Sequence, residues 1–210
     1  MGRVEAVLLA AGRSRRMGAF KPLLPFGAKS VVETCVDNLL AGGARRVVVV
    51  VGHRAEDVRR ELLTRQEVLT VFNEEAESEM GVSIARGVEA VGGDARSVLI
   101  ALADQPAVPP RVIDSVIAAW RERGAPLVVP TYEGRGGHPV LVDLRLRREL
   151  SSLPPERGLR ALFDARRGEV LRLPVDSPYI VRDMDTWDEY AALYEEVFGR
   201  PPEASAPGGE

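Results

Sequence analysis

Residues 4–21 read V-E-A-V-L-L-A-A-G-R-S-R-R-M-G-A-F-K. An apolar run, Val4, Ala6, Val7 and Leu8, passes at Leu9 into a short loop with two glycines, a serine, three arginines and a lysine. A strand feeding such a loop is a cradle for phosphates. Backbone N–H groups approach an anion closely only where side chains are absent or small, as at Gly12, Ser14 and Gly18. The cations then neutralise charge that the backbone alone does not hold. Of the 28 basic residues only Lys21 and Lys29 are lysines, so Lys21 stands out against a strong arginine bias. A compact ammonium reaches phosphate oxygens as a point charge where a planar guanidinium does not fit. Taken alone, the loop also reads as a solvated basic turn.

Outward from this loop, apolar strands alternate with amphipathic helices. Strands are expected at residues 4–9, 46–51, 68–72, 97–103 and 127–130, and helices at 31–40, 56–63, 82–91 and 110–123. The run Val47–Val51 is apolar throughout, as in a parallel strand covered on both faces. Val112, Ile113, Val116, Ile117 and Trp120 make a stripe of 3.6-residue period. Such alternation predicts an α/β three-layer sandwich around a mostly parallel sheet with right-handed crossovers. Beyond residue 134 the pattern loosens: a turn-rich loop at 134–139, strands at 140–142, 170–173 and 179–181, and helices at 158–165 and 186–198. Thr186 and Glu189 fit a capping box for the last helix. Residues 1–198 are expected to form one domain and 199–210 a disordered tail, since the tail offers nothing to bury.

With 210 residues and a net charge of −3, the chain has enough length for one sizeable core and lacks the basic balance of a nucleic-acid binder. No stretch approaches the ~20 apolar residues that span a bilayer. The N-terminal apolar run ends at the glycine loop too soon for a signal peptide. A membrane partner and a nucleic-acid partner are therefore not expected. The single cysteine, Cys35, shares a helical stripe with Val32, Val36, Leu39 and Leu40 and reads as core. Having no internal disulfide partner, it fits the cytoplasm.

In open α/β sheets ligands gather at the carboxyl ends of strands. Two further loops carry suitable groups there. Asp104-Gln105-Pro106 follows the strand at 97–103, and a carboxylate so held can coordinate a hard cation such as Mg²⁺. It reads equally as a turn before a proline-rich segment. Asp183-Met184-Asp185-Thr186 fits a helix start. If Asp185 lies across the cleft from Asp104, the pair can hold metal against a triphosphate. Two unit charges ~4 Å apart repel by roughly 4 kcal/mol at an effective dielectric near 20. An anionic acceptor approaching a nucleotide needs Lys21, Arg16 and Mg²⁺ to offset such repulsion. With two histidines and no Ser-His-Asp set, the chain fits catalysis by positioning and electrostatics. His53 reads as a structural or rim residue. His138, in its Gly-Gly-His-Pro loop, reads as a substrate contact ahead of a role in the turn.

These residues resemble the molybdenum cofactor nucleotidyltransferase family, most closely its cytidylyl-transferring branch. The family pattern L-A-[AG]-G-x-S-x-R-M-G-x-x-K is met by Leu9, Ala10, Gly12, Ser14, Arg16, Met17, Gly18 and Lys21. The D-Q-P at 104–106, G-H-P-V at 137–140 and D-x-D-T at 183–186 follow in the family's order, so the likeness runs from about residue 4 to 194. The resemblance implies a Rossmann-like fold of the nucleotide-diphospho-sugar transferase type. It implies CTP over the first loop, bordered by Leu9, Ala10, Ala11, Gly12 and Ser14. Arg16 and Lys21 would bind its phosphates and, with Asp104, carry catalysis, while Asp104 and Asp185 would hold Mg²⁺. Guanylyl-transferring relatives carry glycine where Ala11 stands, and the extra methyl favours a pyrimidine modestly. The acceptor, a molybdopterin, would meet the 73–87 segment through Ser83, together with Gly137 and His138. The family's G-M-x-S-S-type run has Val82 in place of one hydroxyl here, and valine supplies no donor. A molybdenum oxidoreductase or its chaperone is a further partner the family allows. Alternatives are GTP or another phosphorylated acceptor, or a non-catalytic module that binds and delivers the cofactor. The loop is not G-x-G-x-x-G, which argues against a Rossmann dehydrogenase.

Overall fold

The computed structural model describes residues 2–14, 16–74 and 80–203. Its elements are β1 (Arg3–Ala10), β2 (Pro25–Phe26), β3 (Lys29–Ser30), α1 (Val31–Ala41), β4 (Val47–Val51), α2 (Ala55–Glu61), β5 (Val68–Phe72), α3 (Met80–Glu89) and β6 (Ala95–Leu102). There follow α4 (Pro110–Arg123), β7 (Leu127–Tyr132), β8 (Arg135–Gly136), β9 (Val140–Asp143), α5 (Arg147–Ser151), α6 (Leu159–Ala165), β10 (Val170–Pro174) and α7 (Trp187–Phe198). The main sheet has the order β10-β7-β9-β6-β1-β4-β5, with β8 paired to β7, and β2 and β3 form a separate hairpin.

Side chains alternate across a strand, and here the alternation separates two cores. Val47, Val49 and Val51 pack into one with α1, α2, α4 and α7. Val48 and Val50 pack into the other with residues of α3, α5 and α6. Five consecutive apolar residues in β4 thus follow from helices on both faces. The expected three-layer α/β sandwich is what the chain forms. β1 pairs in parallel with β4 and β6, β4 with β5, and β7 with β10. β9 runs antiparallel between β6 and β7.

The chain steps from β1 to β4 and β5 on one side, then crosses back to β6 on the other. The point where strand order reverses therefore lies at β1 and β6, where open sheets bind ligands. Register pairs Leu9 with Leu102 on one side and Val50 on the other. Asp104 thereby leaves the sheet beside the glycine loop.

α1 starts on a capping box made by Ser30 and Glu33, and α7 on the expected one of Thr186 and Glu189. One element differs in kind. Residues 179–181 are not a strand but part of a 3₁₀ turn, Pro178–Val181. Pro178 has no N–H for a ladder, and the Ile180 carbonyl is taken by the His138 N–H at 2.9 Å. Sequence periodicity also passed over the β2–β3 hairpin, β8 and α5, which are short. Of the expected tail, residues 204–210 lie outside the described residues. Among the described residues no helix is long and apolar enough to cross a membrane.

Candidate functional site

The loop after β1 is anchored by its apolar residues. Met17 and Phe20 are buried in the core. Ser14 takes a left-handed backbone (φ 52°), and its Oγ accepts the Lys21 N–H at 3.1 Å, closing the loop on itself. Gly18 also has a positive φ (72°), which glycine adopts without strain. A Cβ on Gly12 would meet no atom of the described residues within 4 Å, so the missing side chain leaves open space there.

A cavity of about 280 Å³ lies at the carboxyl ends of β1 and β6. It is lined by Leu9, Ala10, Ala11, Gly12, Ser14 and Lys21 from the first loop and by Leu102, Ala103 and Asp104 from the other side. Pro22, Met80 and Ser83 complete it. Every cleft residue expected from the first loop and from Asp104 is present except Arg16, which reaches the site from its rim.

Three loops meet at Lys21. Its Nζ donates to Asp185 Oδ1 at 2.6 Å and to Asp104 Oδ2 at 3.3 Å. Arg16, largely exposed, pairs with Asp185 Oδ2 at 2.5 Å. The two acids, 81 positions apart in sequence, therefore face one cation from opposite loops. Burial pushes the Asp104 carboxyl above the usual range, with Lys21 opposing and Asp183 adding to the rise. Asp185 is held below its ordinary value, first by the Lys21 hydrogen bond, against some burial, and then by the charges of Lys21 and Arg16. Depth separates the two directions: Asp104 has lost more water, and Asp185 has gained a second cation.

Asp104 Oδ1 is buried and has no hydrogen-bond partner among the described residues. A bare buried carboxylate oxygen beside a second acid suits a divalent cation. No cluster of three or more acidic, histidine or cysteine side chains that could hold a metal occurs among the described residues. Two carboxylates leave coordination positions for phosphate oxygens and water, the pattern of Mg²⁺ sites completed by substrate.

The expected acceptor residues separate. Ser83 lines the cleft, and its Oγ accepts a hydrogen bond from the buried Asn73 amide at 3.0 Å. Gly137 and His138 do not line it. Gly137 is packed so tightly on Ile180 that a Cβ would fall 2.1 Å from its carbonyl oxygen. The His138 ring lies 3.2 Å from the Ile100 carbonyl, and burial pushes its pKa down. His53 sits at the rim with its ring edge-on to Phe20 at 5.6 Å. Cys35 is buried, and burial, with the charge of Asp104, pushes its thiol up, as a core residue's would be. Sequence reading included Asn73 only as the first residue of the 73–87 segment, and it missed Gly52. The latter backs Ala11 so closely that a Cβ would lie 3.0 Å from the Ala11 carbonyl oxygen. The glycine directly after an all-valine strand was the available signal.

A model of the MobA-like NTP transferase domain matches residues 6–171. The chain belongs to the MobA-like NTP transferase family. It is 23% identical to the molybdenum cofactor cytidylyltransferase of Escherichia coli K12 over 195 residues, covering 93% of this chain and 97% of that one. It is 32% identical to the nicotine blue oxidoreductase of Paenarthrobacter nicotinovorans over 203 residues, 90% of this chain and 96% of that one. Among solved structures, Rv0371c of Mycobacterium tuberculosis superposes with a TM-score of 0.80 at 29% identity, covering 92% and 98% of the two chains. That protein has also been solved in complex with manganese. The MobA-like fold and a cleft of this composition make the chain an enzyme of the nucleotidyltransferase type.

Proposed function

We propose that the chain transfers the cytidylyl group of CTP to a phosphorylated pterin of the molybdopterin type, in the cytoplasm, releasing pyrophosphate. The observation that carries this reading is the Lys21 ammonium held between Asp104 and Asp185 at the mouth of a glycine loop. In the proposed reaction an acceptor phosphate oxygen attacks the α-phosphorus of CTP. A new P–O bond forms, and the bond to the β-phosphate breaks. Leu9, Ala10, Ala11, Gly12 and Ser14 border the nucleotide. Lys21 and Arg16 turn from the acids to the phosphates and offset the charge gathering on the leaving pyrophosphate. Asp104 and Asp185 hold the divalent cation, Mg²⁺ in this reading. When bound, the cation neutralises triphosphate charge and stabilises the leaving group. Among the described residues the cleft lining contains no histidine or cysteine, in keeping with direct transfer between substrates. Ser83 contacts substrate at the cleft, whereas Gly137 and His138 support the loop behind it. Residues 1–198 are read as one domain, since α7 ends at Phe198 with Gly199 as its left-handed cap.

The base is assigned through Ala11, whose methyl narrows the cleft beside Gly12. One methyl discriminates by roughly 10- to 200-fold at most, so GTP is the alternative donor. The 32% identity to a nicotine blue oxidoreductase favours a second reading, a redox step in the same cleft. The acid–lysine–acid arrangement has an evident use in triphosphate chemistry and none in electron transfer, which ranks the transfer reading first.

The test supplies each of the four nucleoside triphosphates with Mg²⁺ and molybdopterin or its molybdenum-loaded form, reading pyrophosphate and product mass. Pyrophosphate with CTP and a cytidine dinucleotide product is expected. Turnover with GTP alone reassigns the donor. Binding without turnover marks a delivery module, and no pyrophosphate, together with bleaching of an added quinone-type dye by an added hydride donor, marks the redox reading.

A further inference from the structure

Gln105 lies between the two acid-bearing loops and has no role in the chemistry above. It is buried, and its Nε2 donates to Asp183 Oδ1 at 2.7 Å and to the Ile180 carbonyl at 3.3 Å. The Ile180 carbonyl also accepts the His138 N–H at 2.9 Å, and the Met184 N–H donates to the Asp104 carbonyl at 3.2 Å. These four hydrogen bonds stitch together residues 104–105, His138 and the 180–184 segment. Met184 is fully buried between two acids whose side chains part company. Asp183 goes to Gln105, and Asp185 goes to Lys21 and Arg16.

We propose that Gln105 is a positioning residue that sorts these two acids. It occupies Asp183, and so fixes the turn from which Asp185 faces Asp104. Asp183 is exposed, so packing alone does not set its direction and the hydrogen bond does. The residue type follows from the chemistry. A carboxylate here would repel Asp183, a cation would compete with Lys21 for the acids, and an apolar side chain would release Asp183 toward the cation site. The amide is oriented by its two acceptors even though this leaves Oε1 buried without a partner among the described residues. Such an uncompensated group points to a demand at the donor end.

This inference rests on the metal–triphosphate reading, and its test separates the two. Mn²⁺-supported binding of CTP to the full chain is measured without acceptor, following the EPR signal of free Mn²⁺. Gln105→Leu and Asp183→Ala are each expected to raise the Mn²⁺ needed for half-maximal binding about tenfold. The double variant should show the same tenfold rise, because one interaction has been removed twice. Asp183→Asn keeps an acceptor for the Gln105 amide and should stay within twofold of the parent chain. Melting temperatures within a few degrees of the parent exclude general unfolding as the cause. The proposal is overturned if Gln105→Leu leaves the Mn²⁺ requirement unchanged, or if the two effects multiply. It is equally overturned if Asp183→Asn is as damaging as Asp183→Ala, which would make Asp183 a ligand by charge. Failure of the parent chain to bind CTP with Mn²⁺ at all would overturn the underlying reading, and this inference with it.

Discussion

The Lys21 side chain, 12% exposed, meets Asp104 and Asp185 with little water between them. Its removal leaves two carboxylates facing each other and, in the proposed reaction, takes one cation from the leaving pyrophosphate. Lys21→Ala is therefore expected to lower the rate of pyrophosphate release at least a hundredfold, a loss typical of removing one preorganised electrostatic group. Its far-ultraviolet circular dichroism should match the parent's, because the hydrogen bonds lost are those of the ammonium to the two acids; near-parental rates would remove it from the mechanism. At Ala11 the expected change is smaller. Ala11→Gly should raise the use of GTP relative to CTP by about tenfold in direct competition, the lower end of what one methyl discriminates. At this scale the site was largely legible. Loop glycines, a lone lysine and acids after strands are local patterns, and Lys21, Asp104 and Ser14 sit where those patterns put them. Gln105 was not, because it acts through Ile180 and Asp183, 75 and 78 positions away in sequence. His138 was misplaced for a related reason: a glycine-flanked loop signals close approach, yet here what approaches is the Ile180 backbone.

Among the elements, α3 brings Met80 and Ser83 to the cleft and rests on the sheet at Gly87. A Cβ there would fall 2.4 Å from Val7 Cγ1 and 2.9 Å from Val50 Cγ2. Gly87→Ala must push the helix away from β1 and β4, and overpacking of this kind costs about 1–3 kcal/mol. Thermal unfolding should shift down by about 2–4 °C per kcal/mol for a chain of this size, with weaker nucleotide binding as Ser83 recedes. An unchanged melting temperature would mean that the contact relaxes freely. Ser30 caps α1 within a full capping box. Ser30→Ala should cost about 1 kcal/mol, read by chemical denaturation. Long periodic helices and apolar strands could be read from pattern, since burial on one or both faces imposes the period. The 3₁₀ turn Pro178–Val181 could not, because what decides it is where the Ile180 carbonyl finds donors, and those donors belong to other loops.

For the molecule as a whole, alternation announced a layered α/β sheet, but not its strand order or the antiparallel β9, which depend on pairings made only after collapse. The same long-range assembly creates surface ion pairs that tie the sheet edge to α1. Arg65 follows α2 and pairs with Glu33 and Asp37 on α1, and Lys29 pairs with Asp37. Burial works against the Asp37 carboxylate, but hydrogen bonds from Arg65 and Lys29 outweigh it and hold its pKa below the ordinary value. Glu33 is lowered likewise, with the Ser30 N–H and Arg65 outweighing burial. Carboxylates depressed in the folded state contribute stability that is present above their unfolded pKa, about 4. That contribution is lost as pH falls through the folded value. Melting temperature should thus hold above about pH 5 and fall below about pH 4. In Arg65→Met the fall should be shallower, since the carboxylates then titrate closer to their unfolded values. Parallel acid limbs in the two proteins would show that these pairs add nothing.

Joining β1, β6 and the turn before α7 at one cation gives the fold its chemical meaning, and that junction can be observed directly. The chain is crystallised with Mn²⁺ and a CTP analogue that cannot be cleaved, and anomalous scattering locates the metal. The predicted peak lies within about 2.0–2.5 Å of an oxygen of both Asp104 and Asp185, with the Lys21 ammonium moved onto the triphosphate. Manganese bound away from Asp104, or a triphosphate that does not touch Lys21, would contradict the account.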